Sequence, residues 1–426
     1  MSLWLPYTID RSIIPMVSRM VATGMPVSVD ALHALRPKLK RSQDQAYFAA
    51  AEIAGFPFNP GSSDQVAAII HGKHKVPVKY KTDGGKPSTK EAYLAVYAAD
   101  YPTIAPLVTQ ILEYRKYDQL ISTFIDPIVA KAVDGWVHYR LNIAGTSTSR
   151  LSSSDPNFQN IPTRDVEGQW IRDCFVAPEG YSFVSNDLSQ IELRCAAHIS
   201  QDPALLAAYR TPGTDLHAAT AMLMFGKSDG IWRYTAKTIN FAILYGISAE
   251  GLYKQLVKEA PDGHWAIPMC QGYLDRYFAT HPGIVRYIDQ TRAHLRRYGY
   301  VEDMFGGRRT IPKVYAASAR LVEEALREGT NLPVQGSASR ILKLQMAAVD
   351  SAMIDLKWYT GNQVRPLLQI HDDLVFLVHD DLLHDAAATI KGVMEDAYQM
   401  SVPILVTTKV GKSWGSLKEL EEMNNG

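Results

Sequence analysis

Apolar side chains recur at helical spacing in IIPMVSRMVAT (13–23), and Gly24 stands where a C-terminal cap belongs. A short PVSVD segment follows, then a longer helical stretch over 31–54 carrying Arg36, Lys38, Lys40 and Arg41. Solvation of one helix face explains those charges as well as phosphate contact does. Residues 55–90 are rich in Pro and Gly and hold a basic cluster of Lys73, Lys75, Lys79 and Lys81. PST at 87–89 predicts a helix start, another helix is expected over 104–123, and 136–142 reads as one short strand. SSSDPNFQNIP (152–162) has the composition of a turn. Two places change period within a few residues. The apolar run 181–184 stops near Asp187, and a helical pattern of Ile191, Leu193, Cys195 and Ala196 begins. Far downstream, RPLLQIHDDLVFLVHDD (365–381) sets His371, Asp372 and Asp373 between two apolar strands, which predicts a hairpin. Between these places, helices are expected over 253–300, broken by PDG (261–263) and HPG (281–283).

Composition narrows the class. With 426 residues, 46% hydrophobic and 21% charged, the chain can build two or three ordinary cores. Lys and Arg number 44, Asp and Glu 44, so the formal net charge is zero. Any grip on nucleic acid must then come from local basic faces. Cys174, Cys195 and Cys270 have no CxxC spacing and cannot all pair, which fits a reducing compartment and no zinc site. The start MSLWLPYTIDR lacks a signal-peptide pattern, and no apolar run is long enough to span a bilayer, so a soluble, cytoplasmic protein is expected. No GxxxxGK[ST] loop occurs, which argues against a helicase or ATPase.

The polar residues at the period changes carry candidate chemistry. A strand end is a rigid mount, and Asp187 there suits a group that grips something at fixed distance, although a lone Asp before a helix is more often a cap. Adjacent acids on a partly buried turn repel each other unless a cation or basic group compensates. If the hairpin lies beside the Asp187 strand, Asp187 and Asp372 converge, and such a pair can hold two divalent ions about 3.5–4 Å apart. In RYTAKTINFAILYG (233–246), Arg233, Lys237, Phe241 and Tyr245 are spaced four apart and form one stripe, basic then aromatic. Its rise of about 18 Å is comparable with an extended nucleoside triphosphate. An aromatic stripe alone would more often be core.

DLSQIELR (187–194), RYTAKTINFAILYG and QIHDDLVF (369–376) resemble, in order, the three polymerase motifs of family A DNA polymerases, the bacterial DNA polymerase I type. The resemblance extends to TSTSRLSSSDPNFQNIPTR (146–164), GYVEDMFGGRRTIP (299–312) and NLPVQGSASRILKLQM (331–346), and covers nearly the whole chain. It implies a mixed α/β (α+β) right-hand fold with an antiparallel palm sheet, helical fingers and a helical thumb. The implied layout is palm at 1–27, 135–190 and 335–426, thumb at 28–134 and fingers at 191–334. The family's proofreading and 5′-nuclease domains are expected to be absent.

The resemblance also assigns roles. Asp187, Asp372 and the backbone carbonyl of Leu188, where the family often has Tyr, are the implied ligands of two Mg²⁺ ions, with Mn²⁺ an alternative. Asp373 stands where the family usually has Glu, one methylene longer, and supports the pair. Lys237 is the implied proton donor to pyrophosphate; Arg233, Lys237 and His217 bind phosphates, Phe241 and Tyr245 the nucleoside. Glu192 is the implied sugar gate against the 2′ position, and Gln190 lines the same pocket. Arg150 reads the primer-end minor groove, where acceptors are nearly sequence-independent. It follows Ser149, where the family usually has Gly; if that Gly needs positive φ, Ser149 strains the backbone or repositions Arg150. Arg327, Asn331, Gln335 and His371 are assigned to DNA near the new pair. The expected activity is template-directed addition of deoxyribonucleotides to a primer without proofreading. Expected partners are a DNA primer-template and deoxyribonucleoside triphosphates, and no membrane, for a monomer in a bacterial or virus-infected cell, with a separate nuclease or processivity factor as accessory. The alternatives are gap filling, lesion bypass, or a catalytically silent DNA-binding subunit; Asp187, Lys237 and Asp372 argue against silence.

Overall fold

Alternate side chains of the two central strands go to opposite faces, and both faces are buried. In Tyr181–Leu188, Phe183 joins one core and Val184 the other; in Asp373–His379, Val375 and Leu377 join the first, Leu374, Phe376 and Val378 the second. Burial on both sides explains the unbroken apolar run 374–378, whereas Tyr181–Leu188 also buries Ser182, Ser185 and Asn186. A computed structural model describes residues 4–420 apart from 83, 164, 212, 245 and 260–264. Its main sheet has five antiparallel strands in the order Lys418–Glu419, Val406–Gly411, Tyr181–Leu188, Asp373–His379, Val364–Ile370. The expected hairpin therefore does lie beside the Asp187 strand. A register shift between Pro366 and Leu368 falls at the proline, which has no N–H for the ladder.

One face of the sheet is covered by the helix Ile191–Ser200 and the 37-residue helix Ala319–Asp355. The latter runs through Pro333. The other face meets Phe158, Phe175 and Trp414 in successive edge-on contacts, together with Leu32, Leu35 and Leu39 of the helix Val29–Ala54. That helix starts at Ser28, whose hydroxyl accepts from the Ala31 N–H at 3.2 Å, and stops at Gly55, φ +79°. Its far end packs with Ala105–Gln119 in a separate small core around Ala50, Ile69, Tyr97 and Ile111.

Three local expectations are corrected. The helix after PST starts at Glu91, because Ser88 and Thr89 are buried and the Thr89 carbonyl accepts from Arg115 at 2.6 Å. Residues 136–142 are two strands rather than one: Trp136–Val137 pairs with Met25–Pro26, and Arg140–Asn142 with Ser152–Ser154. The serines of SSSDPN are thus strand residues, drawn into a ladder that their turn-like composition does not reveal. Among the described residues no helix is long and apolar enough to cross a membrane.

Candidate active site

Asp187 is the last residue but one of the Tyr181–Leu188 strand, and the register puts it directly across from Asp373, not Asp372. Asp372 sits one step further, on the hairpin tip, where its backbone carbonyl accepts the Leu188 N–H at 3.0 Å. All three carboxyls therefore crowd one end of the sheet. Like charges directly opposite in a sheet are unfavourable, and the acidities register it. Burial, then Asp373 and Asp372, push Asp187 up to about 7, against a small opposite pull from Lys409. Asp372 rises to about 6, with burial and the negative charges of Glu192 and Asp373 outweighing Arg150. Asp373 is also raised, chiefly by burial; Ser185 donates to its Oδ2 at 2.5 Å, while its buried Oδ1 has no hydrogen-bond partner. Among the described residues no group of three or more His, Cys, Asp or Glu forms a ready-made metal cage. Repelling carboxylates, one oxygen orphaned, nevertheless fit a cation that would restore their ionised form.

The helix Gly230–Leu244 presents a second set. Arg233 and Lys237 are exposed and Phe241 half-buried, whereas Ala236, Ile239 and Ile243 on the opposite side are core. Only three of the four striped residues can be placed, because Tyr245 lies outside the described residues. The Arg233 Nε donates to Asp215 at 2.6 Å, and Asp215 also caps the helix Leu216–Phe225 by accepting from the His217 and Ala218 N–H groups. His217 is buried beside the Phe241 ring, 5.8 Å between centroids. Burial, with help from Lys237 and Arg233, lowers it to about 4. The Asn240 amide lies 3.0 Å from its Nδ1. With Asn240 donating there, the neutral ring carries its proton on Nε2.

Glu192, buried in the first turn of Ile191–Ser200, is ion-paired with Arg150, whose guanidinium is also 4.0 Å from Asp372. Gln190 precedes that helix at φ +55° and accepts from the Tyr209 hydroxyl at 2.9 Å. Ser149 has φ +59°, the left-handed conformation that its glycine counterpart would take freely. Arg327, Asn331 and Gln335 follow at four-residue steps along Ala319–Asp355, exposed, half-buried and buried in turn, and the Asn331 Oδ1 is buried without a partner. Arg327 lies against Gly246, where an added Cβ would come 2.9 Å from its Cγ, and lines a 460 Å³ cleft with Phe241, Ser248 and Gln255. His371 is exposed on the hairpin tip at φ +52°. The site residues thus come from the sheet end, the helices Ile191–Ser200, Leu216–Phe225 and Gly230–Leu244, the long helix, and the segment that carries Arg150.

Sequence reading missed the residues that hold these groups. Ser185 holds Asp373, Asp215 holds Arg233, Asn240 holds His217 and Tyr209 holds Gln190. Asp215 before an apolar helix is a visible cap signal; its ion pair, 18 residues away, is not.

A family model described as DNA polymerase family A matches residues 29–416. DNA polymerase I of Pseudomonas aeruginosa is 39% identical over 417 residues, 95% of this chain and 44% of the relative. The thermostable DNA polymerase I of Thermus thermophilus is 38% identical, over 98% of this chain and 49% of its own. The chain spans about half the length of the curated relatives it matches. Among solved structures, the POL domain of Pol1 from M. smegmatis in complex with DNA primer-template and dNTP matches 96% of this chain and 70% of its own, with TM-score 0.86 and 31% identity.

Proposed function

The chain belongs to DNA polymerase family A, and from that premise we propose that it extends the 3′ end of a DNA primer on a DNA template. The observation that carries the reading is the carboxyl group cluster at the sheet end, with Asp187 across from Asp373 and Asp372 on the adjoining tip. The solved neighbour's primer-template and dNTP support the same ligands here. In this reading Asp187, Asp372 and the Leu188 carbonyl hold two Mg²⁺ ions, with Asp373 as a supporting carboxylate. Held there, such ions would supply Lewis-acid stabilisation of the charge that develops on the primer oxygen and the leaving pyrophosphate.

The chain's own residues do the rest. Arg233 and Lys237 receive the triphosphate, Arg233 exchanging Asp215 for phosphate oxygens. His217, neutral, offers its Nε2–H, and Phe241 and Tyr245 take sugar and base. The primer 3′-hydroxyl gives up its proton to solvent as its oxygen bonds to the α-phosphorus, the bond from that phosphorus to the bridging oxygen breaks, and Lys237 gives a proton to the departing pyrophosphate. Glu192 and Gln190 line the sugar pocket, where Glu192 excludes a 2′-hydroxyl. Arg150 exchanges Glu192 for the primer's minor-groove edge, and Arg327, Asn331, Gln335 and His371 contact DNA around the new pair. Residues 28–134 serve as thumb, 191–334 as fingers and the remainder as palm.

Extension of a labelled primer with Mg²⁺ tests the proposal. Asp187→Asn and Asp372→Asn should each lower extension by about 10³-fold or more, and deoxyribonucleotides should be used well ahead of ribonucleotides. A wild-type chain that binds the duplex yet extends it with neither nucleotide set would overturn the reading in favour of a silent DNA-binding subunit.

A further inference from the structure

Ser149 is a non-glycine residue in left-handed conformation immediately before Arg150, and the surrounding side chains account for its staying there. Arg340, on the long helix, donates from Nη2 to the Ser149 hydroxyl at 3.1 Å. Its neighbour Ser339 donates to the Ser149 carbonyl at 2.8 Å, and Lys343, one turn on, donates to the Ile143 carbonyl at 2.9 Å. Within the loop, the Thr146 hydroxyl donates to the Arg150 carbonyl at 2.8 Å. Three contacts on the segment from 143 to 150, two on Ser149 and one on Ile143, thus come from one helix, the one that also carries Arg327, Asn331 and Gln335.

Arg340 is itself fixed. Its side chain is 6% exposed, its Nε donates to Asp303 at 2.7 Å, and its Nη1 donates to the Pro6 carbonyl at 3.2 Å and to Asp10 at 3.4 Å. Asp303 is in turn tied to the turn it begins, accepting from the Phe305 and Gly307 N–H groups at 2.9 Å. Gly307 leaves the space for this cluster, since a Cβ there would lie 2.3 Å from the Asp303 carboxylate and 2.7 Å from Arg340 Nη2. A guanidinium so anchored cannot follow the loop, so the loop must follow it. If Ser149 relaxed to negative φ, the peptide before Arg150 would rotate and its guanidinium would leave the Glu192 and Asp372 carboxylates.

We propose that Arg340, acting through the Ser149 hydroxyl, is a positioning residue for Arg150 and so for recognition of the primer-terminal base pair. It rests on the polymerase reading above, with Arg150 at the primer end. It adds a requirement that a glycine at 149 would not impose: the hydroxyl is the handle by which a buried arginine sets the turn.

The test is single-turnover addition to matched and mismatched primer ends by wild type, Ser149→Ala, Arg340→Gln, Arg150→Ala and the doubles Ser149→Ala/Arg150→Ala and Arg340→Gln/Arg150→Ala. Ser149→Ala and Arg340→Gln should each slow matched-end addition by about tenfold, change mismatched-end addition little, and cost nothing further once Arg150 is alanine. Losses that are equal on both ends, or that multiply with the Arg150→Ala loss, would make Arg340 merely structural and overturn the inference. Should Arg340→Gln fail to fold, Ser149→Ala, which leaves the Arg340 pairs with Asp303 and Asp10 intact, decides alone. Wild-type behaviour of Arg150→Ala on matched ends would instead remove the reading of Arg150, and the inference with it; active wild type and impaired Arg150→Ala beside a normal Ser149→Ala would remove the inference only.

Discussion

Asp187 and Asp373 face each other across the sheet, an arrangement that costs stability in any protein without a compensating charge. His217 is the converse case, a base buried where its cation is disfavoured. Its folded value of about 4 lies below the ordinary 6.5, so on acidification the unfolded chain takes up this proton first. The corresponding stability is fully present above about pH 6.5 and is lost as pH falls towards 4. Urea midpoints at about pH 7 and about pH 5 should therefore fall less for His217→Gln than for wild type. Equal falls would show that the ring is not held neutral by the fold. Candidate residues of this kind were visible one by one, as an Asp at a strand end or a His on a helix. What each touches was not.

At the scale of elements, capping side chains join helices that are distant in sequence. Asp202 is fully buried; its Oδ1 accepts from the Ala204 and Leu205 N–H groups at 3.1 Å, starting the helix Pro203–Arg210, and its Oδ2 accepts from Gly283 at 2.8 Å, starting Pro282–Tyr298. Gly283 permits that approach, because an added Cβ would lie 2.5 Å from the Asp202 Cα. One carboxylate thus serves two orphan helix starts. Asp202→Ala should lower unfolding free energy by about 2–3 kcal/mol in urea titrations, more than an ordinary single cap, with Asp202→Asn recovering part of it. A loss below about 0.5 kcal/mol would mean that the link between the two helices carries no weight. Asp202 before Pro203 has the local form of a cap, whereas its bond to Gly283 in the HPG break joins residues 81 positions apart and has no local signature.

For the whole molecule, zero net charge means that the DNA affinity proposed above would have to come from local basic groups, and the fold has already paired some of them. In the lysine cluster, Lys79 pairs with Asp100 at 2.7 Å, and Lys73 donates to the Ala54 carbonyl and lies over the Phe56 ring. On the neighbouring helix, Arg36 pairs with Asp126 and Lys40 with Asp44, each at 2.6 Å. Lys75 and Lys81 are exposed. If residues 28–134 grip the duplex, Lys75→Ala and Lys81→Ala should each lower the slope of log affinity against log salt by about 0.9, and Lys79→Ala by less. Slopes unchanged from wild type in all three would place the duplex elsewhere.

The periods, the two apolar strands around HDD, the stripe of Arg233, Lys237 and Phe241, and the motifs that mark the family are all legible in the order of residues. These are local properties: helix and strand periodicity repeats within a few residues, and a motif is contiguous. That Asp373 rather than Asp372 stands opposite Asp187, that Ser152–Ser154 pairs as a strand, and that Ser149 is held by Arg340 emerge only in the folded chain. Strand register, pairing partner and the far end of an ion pair depend on residues up to some hundreds of positions away, brought together by burial of the sheet's two apolar faces. No pattern of period two or 3.6 carries that information.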